Sequence, residues 1–104
     1  MSAEPIVSTL SKEDPSLIDL VEECIADLPQ FVSQLNSELE SNDLEQAART
    51  AHAIKGAGGS YGFEPVARAA EAVEHACRAA DLEAAKRHLQ DLEALLPRLK
   101  AKPE

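Results

Sequence analysis

The chain has 104 residues, enough for one packed domain and too few for two. Its net charge of −9 argues against nucleic-acid binding, which demands a basic face, and no apolar run approaches the roughly 20 residues of a membrane-spanning helix. Hydrophobic residues make up 44% of the chain but only three are aromatic, so alanine and leucine must fill the core, and both favour helices over strands. The N-terminus shows no basic-then-apolar signal pattern, so a cytoplasmic location is expected. Cys24 and Cys77 fall in apolar stripes and read as buried free thiols, because two cysteines match no metal-ligand spacing.

In chain order, residues 1–14 form an N-terminal arm whose short apolar patch, Ile6, Val7 and Leu10, predicts a docking arm or a brief helix. Asp14-Pro15 reads as an N-cap with proline at the first helical position, opening a helix that runs to about Glu40. Leu17, Leu20, Cys24, Leu28, Phe31, Leu35 and Leu39 recur along it at steps of three and four, and Pro29 should kink it. Ile18, Val21, Ile25 and Val32 widen this stripe beyond what one groove needs. Either the arm covers the excess, or part of it is an exposed partner-binding patch. Asn42 ends this helix, and Asp43 with Gln46 reads as a capping box for the next, which reaches about Ser60.

Glu64-Pro65 opens a third long helix with Val66, Ala69, Ala70, Val73, Cys77 and Ala80 on its inner face. Asp81 caps a fourth with Leu82, Ala85, Leu89, Leu92, Leu96 and Leu99 inward, and Pro97 should kink or shorten its last turn. No segment reads as a strand and every connection is short. The expected fold is all-α, an antiparallel four-helix bundle over residues 15–100, with a frayed tail at 101–104.

The second long helix carries the chemistry. With about 100° per residue, Lys55, Gly56 and Gly59 fall within about 60° of His52, as do Arg49 and Glu45 one and two turns back. Ala47, Ala51, Ile54, Gly58 and Tyr61 lie on the other side. If that side faces a core, His52 points at water beside an ammonium group. Glycines at 56, 58 and 59 each cost about 1 kcal/mol of helix propensity against alanine, and three such costs in one turn call for a reason. Gly58 permits close helix packing. Gly56 and Gly59 clear the surface beside His52 for an approaching protein.

The pattern His52-x-x-Lys55-Gly56 with Gly62 six residues on resembles the histidine-containing phosphotransfer (HPt) domain of multistep two-component phosphorelays. The resemblance extends to Asp43-Leu44, Phe63, Val73-Glu74, Arg78 and Asp81, and spans residues about 15 to 100. It departs at Cys24, Ala69 and Ala70, where the family usually has larger apolar residues, which predicts a lighter core. It departs again at Ala80, where the family usually has glycine, which predicts a different turn conformation.

Phosphoryl transfer needs an in-line nucleophile and positive charge near the moving oxygens. The resemblance makes His52 the phosphoacceptor and Lys55 the phosphate-stabilising residue. Glu74, at the edge of its helix's apolar face, could orient His52 through the nitrogen that does not attack, or accept a bond from Lys55. Arg78 is a candidate phosphate or partner contact, or simply an i,i+4 partner of Glu74, and Arg49, Gly56 and Gly59 complete the expected partner-binding face. His75 reads as a solvated surface residue and His88 as a partly buried structural one. A di-iron bundle would need Glu-x-x-His pairs, and the residues three before the histidines are Arg49, Ala72 and Ala85, so no metal site is expected.

The chain has no glycine-rich nucleotide loop and no Mg²⁺-binding motif, so it is expected to be no autonomous kinase. The resemblance implies a phosphocarrier without a cofactor of its own, serving response-regulator receiver domains and a hybrid histidine kinase, with Mg²⁺ on the partner receiver. A monomer is expected. Two alternatives remain open at this point, the phosphoacceptor domain of a chemotaxis-type histidine kinase and a receiver-docking module that carries no phosphate.

Overall fold

Connections of three residues divide the chain's apolar periodicities into the helices of a bundle. The computed structural model describes residues 4–103. Its elements are β1 (Ile6–Val7), α1 (Thr9–Glu13), α2 (Ile18–Glu40), α3 (Leu44–Ser60), α4 (Glu64–Arg78), α5 (Leu82–Leu95) and β2 (Leu99–Lys100), with 3₁₀ turns at Pro15–Leu17 and Leu96–Arg98. Helix α3 packs between α2 and α4, and α5 closes the ring by packing on α4 and α2. The core holds Val21, Leu28, Leu35 and Leu39 of α2, Ile54 of α3, Val66 and Val73 of α4, and Leu89 and Leu92 of α5, with Phe63 fully buried in the α3–α4 turn. This is an all-α helical bundle. Cys24 and Cys77 are both buried and free.

The three turns between the long helices share one construction. In each, the second residue takes a positive φ: Asn42 at 57°, Gly62 at 83° and Ala80 at 58°. The third residue then sends its N–H back five residues, Asp43 to Glu38 O, Phe63 to Gly58 O and Asp81 to Ala76 O. Such a left-handed stop satisfies carbonyls that the ending helix leaves orphaned. Ala80 therefore does not lie on the inner face of α4. It is exposed in the turn, and it adopts the left-handed conformation that glycine would take there.

Asp43 and Asp81 cap α3 and α5 by accepting from the N–H of Gln46 and Ala84. The capping box expected at Asp43 forms only in half. Its own N–H is already committed to Glu38 O, so it is not available to the Gln46 side chain. The first long helix also begins later than expected, because Asp14 caps a 3₁₀ turn at Pro15 and α2 starts at Ile18. Pro29 lies inside α2, and at the other end of the bundle α5 stops before Pro97, inside a 3₁₀ turn.

Both termini correct the sequence reading. The arm contains the brief helix α1, but Ile6–Val7 is also a strand, paired in parallel with Leu99–Lys100. The C-terminal end is held rather than frayed as far as Ala101, which is 5% exposed. Ser11 Oγ donates to Ala101 O, and Ser8 Oγ donates to Tyr61 O at 2.6 Å. Neither contact shows in a hydropathy pattern, because buried serines bonded to distant carbonyls make them. The arm thus clasps the α3–α4 turn and the chain's far end together. A Cβ at Gly62 would strike Leu10 N and come within 2.8 Å of Thr9 N, so glycine is required there for close approach as well as for φ.

Leu20 and Phe31, expected in the buried stripe of α2, are instead 44% and 47% exposed. The apolar arc of α2 is wider than α3 and α5 can cover, and the arm reaches the far turn and the C-terminal strand. No described helix is long and apolar enough to cross a membrane.

Candidate functional site

Helix α3 places its glycines and its histidine as the helical wheel requires. Ala47, Ala51, Ile54 and Gly58 are buried, whereas His52, Gly56 and Gly59 are exposed. The buried face is wider than predicted and includes Ala48 and Thr50, whose hydroxyl lies 3.5 Å from Gln34 Nε2 of α2. A Cβ at Gly58 would lie 2.8 Å from the backbone nitrogen of Ala67 and 3.1 Å from Val66 Cγ1, so α4 sits directly against the α3 backbone. At Gly56 and Gly59 a Cβ would meet nothing within 4 Å. These two glycines, with His52, Lys55 and Ser60, line a shallow hollow on the surface.

The close α3–α4 seam brings a carboxylate to the histidine. His52 Nδ1 is 3.1 Å from Glu74 Oε2 and 3.3 Å from Oε1, and Glu74 is only 7% exposed. Burial alone would raise the pKa of this carboxyl. Hydrogen bonds and charge from Arg78 and His52 outweigh it, and the group is held below the usual carboxylate range. At neutral pH the carboxylate is thus ionised and can only accept hydrogen bonds. Nδ1 must then be the donor in this contact, and whenever the imidazole carries one proton its Nε2 has a bare lone pair. The histidine side chain is 66% exposed, so that lone pair is accessible.

Lys55 lies one helical turn beyond His52 and reaches across the seam, its Nζ 3.1 Å from Glu71 Oε2. Both side chains of this pair are partly exposed, so solvent screens the attraction and an incoming phosphoryl group can compete for the ammonium. Glu71 was not singled out from sequence. The signal was present, because Glu71, Glu74 and Arg78 fall at i, i+3 and i+7 on one face of α4.

Arg78 sends Nε and Nη2 to Glu74 Oε2, at 3.1 and 2.9 Å. Its guanidinium therefore faces the carboxylate. Arg49 stands on the His52 side of α3 and pairs with Glu45 at 3.3 Å, in contact with neither Glu74 nor Lys55. His75 is exposed, and His88, partly buried, lies 3.8 Å from Asp91. Among the described residues no group of three or more His, Cys, Asp or Glu is placed to hold a metal ion.

On the α2 side of α3, Leu20, Phe31, Ala53 and Ala57 border a largely apolar groove of about 200 Å³, which Glu23 and Asp27 also line. Ala53 follows His52 directly, so this groove opens beside the histidine. No match was found among curated proteins or among solved structures. The family model of the Hpt domain matches residues 19–102, which contain all four long helices of the bundle except the first residue of α2, together with His52, Lys55, Glu74 and Arg78. A bundle that offers one exposed, carboxylate-held histidine beside a lysine suits histidine phosphotransfer, and with that match the chain belongs to the Hpt domain family.

Proposed function

We propose that the chain is a phosphocarrier in a two-component phosphorelay, with Nε2 of His52 as the phosphoacceptor. The observation that carries this reading is the fixed Nδ1–Glu74 contact, which leaves the opposite ring nitrogen free over the glycine-cleared hollow. The Nε2 lone pair attacks the phosphorus of an aspartyl phosphate on a receiver domain. The P–O bond to the aspartate breaks, and its electron pair leaves with the receiver's carboxylate. The phosphorylated ring keeps its Nδ1 proton and gains positive charge, which Glu74 is placed to offset, much as a carboxylate supports the imidazolium of a hydrolase triad. Lys55 exchanges Glu71 for the transferring oxygens as a mobile point charge. Passing the group to a second receiver is the same step reversed. The receiver supplies its own aspartate and Mg²⁺, so this chain needs no cofactor.

The receiver docks over the exposed face of α3 and the groove beside it. Leu20 and Phe31 offer apolar surface adjoining the histidine, and Glu23 and Asp27 favour a partner with basic residues at the edge of its contact. The test is incubation with a panel of receiver domains carrying labelled phosphate. Acid-labile label should appear on wild type and be absent from His52→Gln, whose melting curve should match wild type. Label recovered on His75 or His88, or unfolding of the variant, would overturn the assignment. Label from a kinase catalytic domain and ATP, with none from any receiver, would make the chain a kinase phosphoacceptor domain instead.

A further inference from the structure

We propose that Arg78 is a positioning residue for His52, acting through Glu74: it fixes and partly neutralises the buried carboxylate so that Nδ1 stays a hydrogen-bond donor without drawing a second proton onto the ring. The inference rests on the phosphocarrier reading for its purpose, but its geometry stands apart from that reading.

The arrangement differs from an ordinary surface ion pair in one respect. Arg78 and Glu74 have the i,i+4 spacing that decorates many exposed helices at little consequence. Here the Glu74 side chain is buried, and the same oxygen that accepts from both Arg78 nitrogens lies 3.1 Å from His52 Nδ1. Arg78 is the last residue of α4, where a cation also complements the helix's negative end, so the pair is anchored by position as well as by contact.

Among the described residues, removing the guanidinium would leave the imidazole as the one titratable group in contact with the buried carboxylate. An unneutralised carboxylate favours the imidazolium form, whose Nε2 carries a proton and cannot attack phosphorus. The other charged groups facing the pair are already engaged. On α3, Arg49 is held by Glu45 and Lys55 by Glu71 of α4. On α4, burial raises the Cys77 thiol and keeps it neutral; Arg78 opposes that rise, and Glu38 of α2 and Glu74 add to it. None of these is placed to replace Arg78 on Oε2.

The test reads the His52 ring by ¹⁵N NMR across pH in four chains: wild type, Arg78→Gln, Glu74→Gln and the double variant. In Arg78→Gln the second ring proton should arrive at higher pH than in wild type. Arg78→Lys, which keeps the charge, should restore most of that difference. With Gln at position 74, replacing Arg78 should change nothing further, because the route through the carboxylate is gone. The rate of phosphate uptake from phosphoramidate, a small donor that needs no receiver, should fall in Arg78→Gln near neutral pH and recover as pH rises. No displacement in Arg78→Gln would overturn the proposal, as would an equal displacement on the Glu74→Gln background, which would mean that Arg78 acts on the ring or the phosphate directly. A chain that shows the expected titration pattern yet takes phosphate from no donor would support the Arg78–Glu74–His52 coupling and overturn the phosphocarrier reading alone.

Discussion

The two flanks of α3 are built on opposite principles. Toward α4 the contact is close to the backbone, with Gly58 facing the Ala67 nitrogen and alanines such as Ala51 and Ala70 buried on the two helices. Toward α2 the residues are larger, and Leu20 and Phe31 remain half exposed over a groove. A seam of small side chains has little freedom to shift, because each rigid backbone is the other's neighbour. It is therefore on the α4 flank that the chain sets a carboxylate at 3.1 Å from the histidine. The α2 flank offers apolar area without tight complementarity, which suits a surface that must accept a partner and release it. On the phosphocarrier reading proposed above, positioning and docking fall to different neighbours of one helix.

The largest test of this contrast is the pair Gly58→Gln and Gly56→Gln. At Gly58 the new side chain would collide with the α4 backbone and overpack the seam, costing on the order of 1–3 kcal/mol. At Gly56 it would enter open space, and relief of glycine's helix penalty should hold stability or raise it by roughly 0.5–1 kcal/mol. Phosphate transfer should nevertheless fall strongly in Gly56→Gln, since the side chain would stand in the hollow beside His52. Melting curves paired with transfer rates decide the matter. A Gly58→Gln chain as stable as wild type would mean that the seam yields more than its geometry allows.

A smaller effect is expected on the other flank. Leu20→Ser and Phe31→Ser each remove apolar surface that is only about half buried, so stability should fall by about 1 kcal/mol. If receivers dock there, the receiver concentration giving half-maximal transfer should rise several-fold in each variant, while uptake from phosphoramidate stays at the wild-type rate. Unchanged receiver dependence would remove the groove from the docking face.

Much of this division was legible in the sequence, for a physical reason. Helix periodicity fixes which residues share a face, so the exposure of His52, Gly56 and Gly59 and the burial of Gly58 follow from spacing alone. Glu74's place at the edge of α4 was also readable, though how deeply it is buried depends on how closely α4 approaches α3. What spacing does not contain is the reach of long side chains across a seam. Lys55 meets Glu71 only because α4 lies close enough to α3, whereas the Arg78–Glu74 pair, four residues apart on one helix, was readable from spacing as one of two roles for Arg78. The clasp of the termini was hidden for a related reason. Its bonds link Ser8 to Tyr61 and Ser11 to Ala101, pairs far apart in the chain with no periodic signature. Leu20 and Phe31 belong to the stripe by angle, and only the limited reach of the neighbouring helices shows that they are left uncovered.

The α4 flank has one weak point of its own, at the turn that ends the helix immediately after Arg78. Asn42 and Gly62 suit their positive φ, but Ala80 takes 58° with a Cβ that this conformation disfavours by about 1–2 kcal/mol. It is held there by the Asp81 N–H bonded to Ala76 O and by the Asp81 side chain capping α5. Ala80→Gly should relieve the strain, while the greater freedom of glycine in the unfolded chain takes back about 0.5–1 kcal/mol. The expected net gain is a few tenths of a kcal/mol to about 1 kcal/mol, or up to a few degrees in melting temperature for a domain of this size. Transfer should be unaffected, because Ala80 is exposed and touches neither Glu74 nor His52 in the hydrogen-bond network. A lower melting temperature would show that the alanine is not strained in this turn. A changed transfer rate at equal stability would show instead that the end of α4 governs where Arg78 holds the carboxylate, which would extend the positioning role of this flank from the seam to its terminating turn.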